Sequence, residues 1–292
     1  MNEFLRTDTA MSALSSMRTG GIAPVAYFPE TEQSLCDTVR RLTEEHKRFF
    51  VFGNLSNVLL PDGTLDFVPV ITTGIKTVTV TDTDDGIKVY AACGVSLTGL
   101  ALEFCRRDYA GLSFAYGIPG TVGGAVFMNA GAYGSEMKNI VRSVRFYDID
   151  ADTVCEIPAA DCGFGYRTSV FAHKNGVILG ASLSLAACES GKALAEAKEL
   201  MERRREKQPL EYPSCGSAFK RPEGYFAGEL IEKCGLKGYA VGGACVSEKH
   251  AGFVVNKGGA TSADVEKLLC DVRAKVHQTF GVELEPEIRF IK

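Results

Sequence analysis

The sequence predicts an α+β protein with mixed sheets, organised in two or three packed units that share a site. Its 292 residues exceed what one hydrophobic core usually serves. Apolar residues make up 46% of the chain, which supplies ample core. Strand-like and helix-like patterns both occur, and no internal repeat, heptad seam or low-complexity tract is visible.

The first third of the chain is predicted to hold strands around one helix. Leu35, Val39 and Leu42 have helical spacing and indicate that helix. A turn at Asp84-Asp85-Gly86 divides a long strand-like run into a hairpin. The predicted strands cover residues 25–28, 49–52, 67–71 and 78–91.

Three more helices are predicted further along the chain. One begins after Ser96 as N-cap and stops near Gly111, and the clearest one begins after Thr261. Between them, residues 191–207 are helical in composition, and Pro209 ends that helix because proline disfavours helix for the preceding residue. The remaining strands are predicted at 141–147, 177–185 and 282–291. The first two of these strands are expected to complete the first large unit, with a boundary near Ala186.

Charge, the N-terminus and cysteine usage disfavour several classes of protein. Lys and Arg number 32 against 36 Asp and Glu, with a pI near 5.7, so a nucleic-acid partner is disfavoured. The N-terminus has no basic region followed by an apolar one and no stretch approaches a membrane span, so we expect a cytoplasmic protein without a membrane partner.

Ten cysteines occur singly from Cys36 to Cys270, without a CxxC pair or Cys/His cluster. We expect buried thiols, and neither a metal site nor a disulfide framework.

Two loops are candidates for ligand binding. Residues 117–124 contain four glycines, which permit positive φ and close approach of a ligand to the backbone. The loop fits neither the GxGxxG nor the P-loop pattern, and a structural turn explains its spacing equally well. A second loop, residues 53–57, follows a strand and offers polar groups to an anion, with a surface turn as the alternative. Two such loops favour a dinucleotide.

The segment GIPGTVGGAVFMNAGAYG, residues 117–134, resembles the flavin-binding signature of the UDP-N-acetylenolpyruvoylglucosamine reductases. Arg18-Thr19-Gly20-Gly21 and residues 53–57 match two further motifs of that family, with Leu55 in the place of a glycine. The resemblance implies a two-part FAD-binding domain, 1–75 and 76–188, and a smaller α+β substrate-binding domain, 189–292. The implied contacts of non-covalent FAD are Arg18, Gly53, Asn54, Ser56, Asn57, Gly117, Ile118, Pro119, Gly120, Thr121, Gly123, Gly124 and Ala125.

The same resemblance implies reduction of UDP-N-acetylglucosamine enolpyruvate to a lactyl ether, with NADPH as reductant. Hydride addition places negative charge on the α-carbon and its carboxylate, so cationic groups and a proton donor are needed. Arg167, in FGYRTS, is the implied carboxylate clamp, and Ser217, in GSAFK, is the implied proton donor to the α-carbon. Glu287, in EPEIRF, is the implied acid near the carboxylate, and a raised pKa would let it donate a hydrogen bond there.

Each of these residues also has a structural interpretation. Pattern alone favours a surface ion pair for Arg167, a turn for Ser217 and a solvated charged face for Glu287. Ser247 and His250 lack a partnered acid, so packing is favoured over a nucleophile. The resemblance implies substrate contacts from Tyr166, Lys207, Lys220 and Arg221, although a basic helix terminus explains Lys207 equally well.

Two alternative functions follow from the same residues. A nucleotide-sugar binding protein without turnover would not need Arg167, Ser217 and Glu287 intact. A flavin oxidase would be supported by a flavin-linking cysteine or histidine beside either glycine loop, and neither loop has one adjacent. Only about 50 residues separate Arg167 from Ser217, which implies the family's shorter form without an inserted substrate-covering loop. A monomer or small homo-oligomer is expected.

Overall fold

The computed structural model describes residues 4–292 and divides them into two compact units. Each unit has its own cluster of buried apolar side chains. The sequence predicted three parts, and that division stays a prediction. The first unit comprises residues 4–6, 25–54 and 67–203, and the second comprises residues 7–24, 55–66 and 204–292.

Strands and helices follow one another in an irregular order. The helices are α1 (Glu32–Glu44), α2 (Leu97–Arg106), α3 (Val122–Phe127), α4 (Lys192–Lys207), α5 (Ala227–Lys233) and α6 (Ser262–Phe280). The strands are β1 (Leu5–Ala10), β2 (Ile22–Tyr27), β3 (Phe49–Phe52), β4 (Val58–Leu59), β5 (Val68–Ile71), β6 (Val78–Thr83), β7 (Gly86–Ala92), β8 (Tyr109–Ala110), β9 (Gly131–Ala132), β10 (Ser135–Glu136), β11 (Val141–Asp148), β12 (Thr153–Pro158), β13 (Gly176–Ala187), β14 (Ser214–Ser217), β15 (Ala240–Val241), β16 (Ala244–Val246), β17 (Phe253–Asn256) and β18 (Arg289–Phe290).

The first unit is built on one partly parallel sheet and one antiparallel sheet. In the first, β2 and β3 both pair in parallel with β5. The second has the order β12-β11-β13-β7-β6, with β8 also paired to β13. Helix α1 contributes Leu35, Val39 and Leu42 to the core, so the predicted helical face is the buried one. The mixture of pairings and the separate helices confirm the predicted α+β class.

The second unit has an antiparallel sheet in the order β14-β17-β16-β15, and β18 pairs in parallel with β4. Helix α6 buries the apolar stripe that the sequence predicted, and this stripe joins the same core cluster as strands β16 and β17. The buried residues of the stripe are Val265, Leu268, Leu269, Val272 and Val276.

Side-chain caps explain why two helices begin where the sequence predicted. The Ser96 hydroxyl accepts a hydrogen bond from the Gly99 N–H and starts α2. At α6, the Thr261 hydroxyl accepts from the Asp264 N–H while the Asp264 carboxylate accepts from the Thr261 N–H. Each cap joins residues only three apart in sequence, and therefore both starts could be predicted.

Of two predicted helix ends, one is confirmed and the other is wrong. Helix α4 ends at Lys207, directly before Gln208-Pro209, as expected. Helix α2 ends at Arg106 rather than near Gly111, because Asp108 adopts a left-handed conformation with φ 63° and β8 follows. The predicted end of α2 is therefore about one turn too late.

The prediction of one long closing strand over residues 282–291 is wrong. The structure has β18 there, preceded by an isolated bridge between Phe219 and Pro286. Pro286 has no N–H to donate to a ladder, and β4, the partner of β18, is itself two residues long. Strand alternation therefore does not decide exposure here, and Glu287 is half-buried whereas Glu285 is exposed.

The cysteines are free thiols, and most of them are partly or fully buried. Burial raises the pKa of the Cys215 thiol to about 12, so this thiol stays protonated at neutral pH. Cys270 is exposed, so the expectation of burial is wrong for that residue.

Residues 4–292 lack two further features, a metal-binding cluster and a membrane-spanning helix. No group of three or more His, Cys, Asp or Glu side chains in this range is arranged to hold a metal ion. Within the same range, each helix is either too short or too polar to cross a lipid bilayer.

Candidate functional site

The two glycine-rich loops meet within the first unit. The Asn54 side-chain amide donates to the Pro119 carbonyl at 2.8 Å. A Cβ built on Gly53 would lie 2.1 Å from the Thr121 hydroxyl oxygen, so any other residue at this position would push the loops apart. The structure therefore brings the start of one loop against the centre of the other.

The loop at residues 117–125 is fixed by its own hydrogen bonds. Thr121 is the N-cap of α3 and accepts from the Gly124 N–H. The N–H groups of Val122 and Gly123 donate to carbonyls in the connection between β7 and α2. Gly117 has φ 91°, a conformation that glycine adopts without strain. This loop is therefore preorganised by contacts within the protein.

The surface of the same loop fits a dinucleotide cofactor. A Cβ built on Gly124 would find its nearest neighbour, the Thr121 hydroxyl, at 3.7 Å, so packing does not require glycine there. Gly124 and Pro119 are exposed, and bare backbone of this kind allows close contact with a flat or anionic group. The predicted FAD contacts that belong to the first unit are Gly53, Asn54, Gly117, Ile118, Pro119, Gly120, Thr121, Gly123, Gly124 and Ala125.

Arg167 is tied to the segment that follows this loop. Its guanidinium donates to the Gly131 carbonyl at 3.1 Å, and the Ser169 hydroxyl donates to the Phe127 carbonyl at 2.6 Å. Arg167 itself has φ 55°, a left-handed conformation that costs an ordinary residue about 1–2 kcal/mol. The surrounding bonds maintain this strained conformation. The exposed ring of Tyr166 lies 5.1 Å from the guanidinium.

Asn129 anchors the same region, although no role was predicted for it. Its side chain is fully buried, and its amide donates to the Gly165 carbonyl at 2.9 Å and to the Glu136 carboxylate at 2.8 Å. Its side-chain oxygen accepts from the Lys138 N–H at 2.9 Å. Because Gly165 lies two residues before Arg167, Asn129 fixes the base of the arginine loop.

A sequence signal for Asn129 was present. Asparagine is the usual substitute for glycine in the left-handed position after a helix, and Asn129 follows α3 with φ 43°. That signal predicts the backbone conformation. It does not predict the buried hydrogen bonds, which depend on segments distant in sequence.

In the second unit, a β-bulge presents Ser217. Strand β14 pairs with β17 at Ser214 and Ser217, and the register shifts between these two positions. Gly216 supplies φ 78°, the left-handed conformation that such a bulge uses. Ser217 is exposed while the adjacent Ala218 is buried. The Gly-Ser pair thus turns the serine hydroxyl outward from a fixed strand.

Glu287 is joined to the Ser217 segment through the backbone. The Glu287 N–H donates to the Ala218 carbonyl at 2.9 Å, and the Lys220 N–H donates to the Glu285 carbonyl at 2.9 Å. The structure therefore places Ser217 and Glu287 on neighbouring chain segments of one unit.

The second unit also carries predicted FAD contacts at Arg18, Ser56 and Asn57. Leu55, between the two halves of the loop, has φ 48°, so it adopts the left-handed conformation a glycine would supply. Its side chain is 4% exposed, and burial offsets the strain. Arg18 is exposed and also left-handed, with φ 58°.

The predicted substrate-binding cations are accessible side chains of the second unit. Lys207 is the exposed last residue of α4. Lys220 donates to the Glu285 carboxylate, and the Arg221 guanidinium lies 3.9 Å from the centre of the Phe226 ring. Their contact with a substrate stays a prediction.

Ser247 and His250 do not form a nucleophile and its base. The Ser247 hydroxyl is buried and accepts from the N–H groups of Lys249 and His250. The His250 Nδ1 accepts from the Gly252 N–H at 3.0 Å. Both side chains therefore support the local turn, as the packing interpretation expected.

Two family models and relatives of nearly the same length match this chain. A model of the UDP-N-acetylenolpyruvoylglucosamine reductase C-terminal domain matches residues 208–291, and an FAD binding domain model matches residues 23–156. The UDP-N-acetylenolpyruvoylglucosamine reductase of Clostridium beijerinckii is 42% identical over 285 residues, which is 98% of this chain and 92% of that protein. The Caldicellulosiruptor bescii protein of the same name is 43% identical over 291 residues, covering 99% and 91%.

A solved structure extends the similarity to the fold. The UDP-N-acetylenolpyruvylglucosamine reductase of Thermus caldophilus superposes with a TM-score of 0.81 at 30% sequence identity. The match covers 99% of this chain and 100% of that one. This chain therefore belongs to the UDP-N-acetylenolpyruvoylglucosamine reductase family.

Proposed function

We propose that this protein is an FAD-dependent reductase that converts UDP-N-acetylglucosamine enolpyruvate to UDP-N-acetylmuramate in peptidoglycan precursor synthesis. NADPH is the hydride source. Relatives of that name are 42–43% identical over nearly the whole chain, and the FAD-binding domain supplies the redox function. The observation that carries the proposal is the backbone pairing of the Ser217 and Glu287 segments.

When bound, FAD supplies hydride transfer from NADPH to the methylene carbon of the substrate. Formation of that C–H bond breaks the C=C π bond and leaves an electron pair on the α-carbon. Ser217 donates its hydroxyl proton to this carbon, because a carbanion-like centre in contact with a hydroxyl is a strong enough base. Arg167 holds the carboxylate that shares the charge, and Glu287 donates a hydrogen bond nearby.

The remaining roles concern the rest of the substrate. Lys207, Lys220 and Arg221 are proposed to bind the diphosphate, since cations at accessible positions suit an anionic group. Tyr166 is proposed to contact the substrate beside Arg167. We further propose that the protein acts in the cytoplasm as a monomer or small homo-oligomer.

The test is Ser217→Ala, with the two half-reactions followed by flavin absorbance. NADPH should bleach the flavin of this variant at the wild-type rate, because Ser217 takes no part in that step. Recolouring by UDP-N-acetylglucosamine enolpyruvate should slow by about 10²–10⁴-fold, the usual contribution of a general acid. Fast recolouring would show that Ser217 is not the donor.

Ser190→Ala is the matched control, since its hydroxyl bonds the Asp108 carboxylate at the surface of the first unit. It should bleach and recolour like the wild type. If the wild-type protein binds the sugar nucleotide but never recolours, it is a binding protein without turnover, and the proposed function is wrong.

A further inference from the structure

Asn57 contacts the backbone around Glu287 in two places. Its side-chain amide donates to the Glu287 carbonyl at 3.1 Å. Its own carbonyl accepts from the Arg289 N–H at 3.0 Å. The next two residues form β4, which runs parallel to β18. Asn57 therefore holds the segment from Glu287 to Arg289 from one side.

The other backbone polar group of Glu287 is held by the serine segment. The Glu287 N–H donates to the Ala218 carbonyl at 2.9 Å. Both backbone polar groups of Glu287 thus have defined partners, one next to Ser217 and one on Asn57. The bond from Asn57 comes from a side chain, so a substitution can remove it and leave the other in place.

The chemistry of this contact suits an amide. A neutral N–H facing a peptide carbonyl makes an ordinary hydrogen bond. An aspartate of the same shape would place a carboxylate oxygen against that carbonyl, and both atoms are acceptors. Asn57→Asp therefore reverses the interaction with almost no change in volume, whereas Asn57→Ala only removes it.

We propose that Asn57 is a positioning residue that sets the place of the Glu287 carboxyl group. This inference rests on the proposed function, in which Glu287 acts beside the substrate carboxylate. A backbone carbonyl freed from Asn57 can rotate its peptide, and the glutamate side chain moves with it. A displacement of about 1 Å in such a site can reduce a rate by about 10²-fold. The role is additional to the flavin contact predicted for Asn57.

The experiment compares Asn57→Ala and Asn57→Asp with the wild type at saturating FAD. Recolouring by the enolpyruvyl sugar nucleotide should slow by about 10–100-fold, and by more in the aspartate variant. Bleaching by NADPH should change by a much smaller factor. The pH profile of recolouring should change shape while the pH profile of bleaching should not, because only recolouring is proposed to use Glu287.

A double-mutant cycle separates positioning from a general loss of structure. Glu287→Ala combined with Asn57→Ala should recolour no more slowly than Glu287→Ala alone, because the group that Asn57 positions is already lost. If the double variant instead recoloured more slowly than either single variant, by the product of their two factors, the proposal would be wrong. Asn57 variants that do not fold, or that fail to retain flavin at saturating FAD, would also overturn it by assigning a structural or flavin-binding role.

Asn54→Ala is the matched control from the same loop, since its amide donates to the Pro119 carbonyl instead. It should weaken flavin binding without selective slowing of recolouring. Failure of the proposed function gives a different result, because the wild-type protein itself would then not recolour with this substrate.

Discussion

In the first unit, the loop that carries Arg167 is anchored by buried side chains, whereas in the second unit the Ser217 segment is held by backbone pairing with the Glu287 segment. The Asn129 amide donates to the Gly165 carbonyl, two residues before Arg167. The Ser169 hydroxyl, two residues after Arg167, donates to the Phe127 carbonyl. The Glu287 N–H and the Ala218 carbonyl instead pair directly. A side-chain anchor can be deleted by one substitution, but a backbone anchor cannot.

This difference determines where substitutions should harm folding. Truncation of a buried anchor leaves donors and acceptors unsatisfied, and each unsatisfied group costs about 1–3 kcal/mol. Truncation of an exposed side chain on a backbone-held strand usually changes stability by less than about 0.5 kcal/mol. The two units should therefore respond differently to alanine at their central residues.

The largest expected effect comes from Asn129→Ala. It removes two donated bonds and one accepted bond from a fully buried position. The free energy of unfolding should fall by about 3–5 kcal/mol, measured by urea denaturation. In protein that remains folded, the apparent affinity for the enolpyruvyl substrate should weaken because the Arg167 loop loosens.

Ser217→Ala provides the contrast for that measurement. Its exposed side chain lies on a strand whose backbone bonds remain in place, so the urea midpoint should stay close to that of the wild type. Equal destabilisation by the two substitutions would show that the distinction between the anchors is wrong.

The next effect concerns strained backbone at Leu55. Leu55→Gly relieves a left-handed conformation worth about 1–2 kcal/mol. It also deletes a buried leucine side chain, and even truncation to alanine typically costs 2–5 kcal/mol. We expect a net loss of about 2 kcal/mol in thermal or urea unfolding. The family's glycine is thus not an improvement in this chain.

Arg18→Gly is the matched comparison, because Arg18 is left-handed but exposed. Relief of strain should here dominate, and the apoprotein should gain up to about 1 kcal/mol. A gain in both variants would mean that the Leu55 side chain contributes less than its burial indicates.

Whether such a feature can be predicted depends on how far apart in sequence the hydrogen-bonded residues lie. The caps at Ser96 and Thr261 join residues three apart, so local patterns revealed them. The bonds from Asn129 to Gly165 and from Asn57 to Glu287 span 36 and 230 positions, and no local pattern encodes them. The resemblance predicted which residues bear chemistry, but not what holds them in place.

The two incorrect strand and helix ends have the same origin. The closing segment alternates like a strand, yet Pro286 and the short partner β4 limit its pairing to two residues. Helix α2 stops early because Asp108 turns the chain toward β8. Strand β12 was not predicted, although its pairing with β11 is regular over six positions. The closing segment and β8 pair with strands distant in sequence, whereas β12 pairs with the strand directly before it.

A smaller effect is expected at the start of α6, where a side chain does anchor the second unit. The Asp62 carboxylate accepts from the N–H groups of Ser262 and Ala263, each at 2.9 Å. A carboxylate at a helix N-terminus is favourable, but Thr261 already caps this helix. Asp62→Ala should therefore lower the free energy of unfolding by about 1 kcal/mol.

Asp62→Asn distinguishes charge from hydrogen bonding at that cap. It keeps one acceptor and loses the negative charge, so an intermediate loss is expected in low salt. High salt should reduce the difference between the wild type and the asparagine variant, since screening weakens the charge term. A loss as large as that of Asn129→Ala would contradict the view that this unit depends mainly on backbone pairing.

The smallest effect is a pH dependence at His250, which supports the strand next to Ser217. The His250 Nδ1 accepts from the Gly252 N–H, and the Gly252 carbonyl accepts from the Ala218 N–H. Burial lowers the pKa of His250 from its ordinary 6.5, with nearby Lys237 and Lys207 adding to the shift and Glu232 opposing it. Protonation fills Nδ1 and removes the acceptor for Gly252.

The sign of this dependence follows from proton binding. Between the lowered folded pKa and the ordinary value, the unfolded chain binds more protons, so stability rises with pH. The contribution of His250 is complete above pH 6.5 and is lost as pH falls through the folded pKa. His250→Asn keeps an acceptor for Gly252 but does not titrate. The stability difference between wild type and variant should therefore shift against the wild type below pH 6.5, and a difference that stays constant with pH would mean that His250 titrates equally in both states.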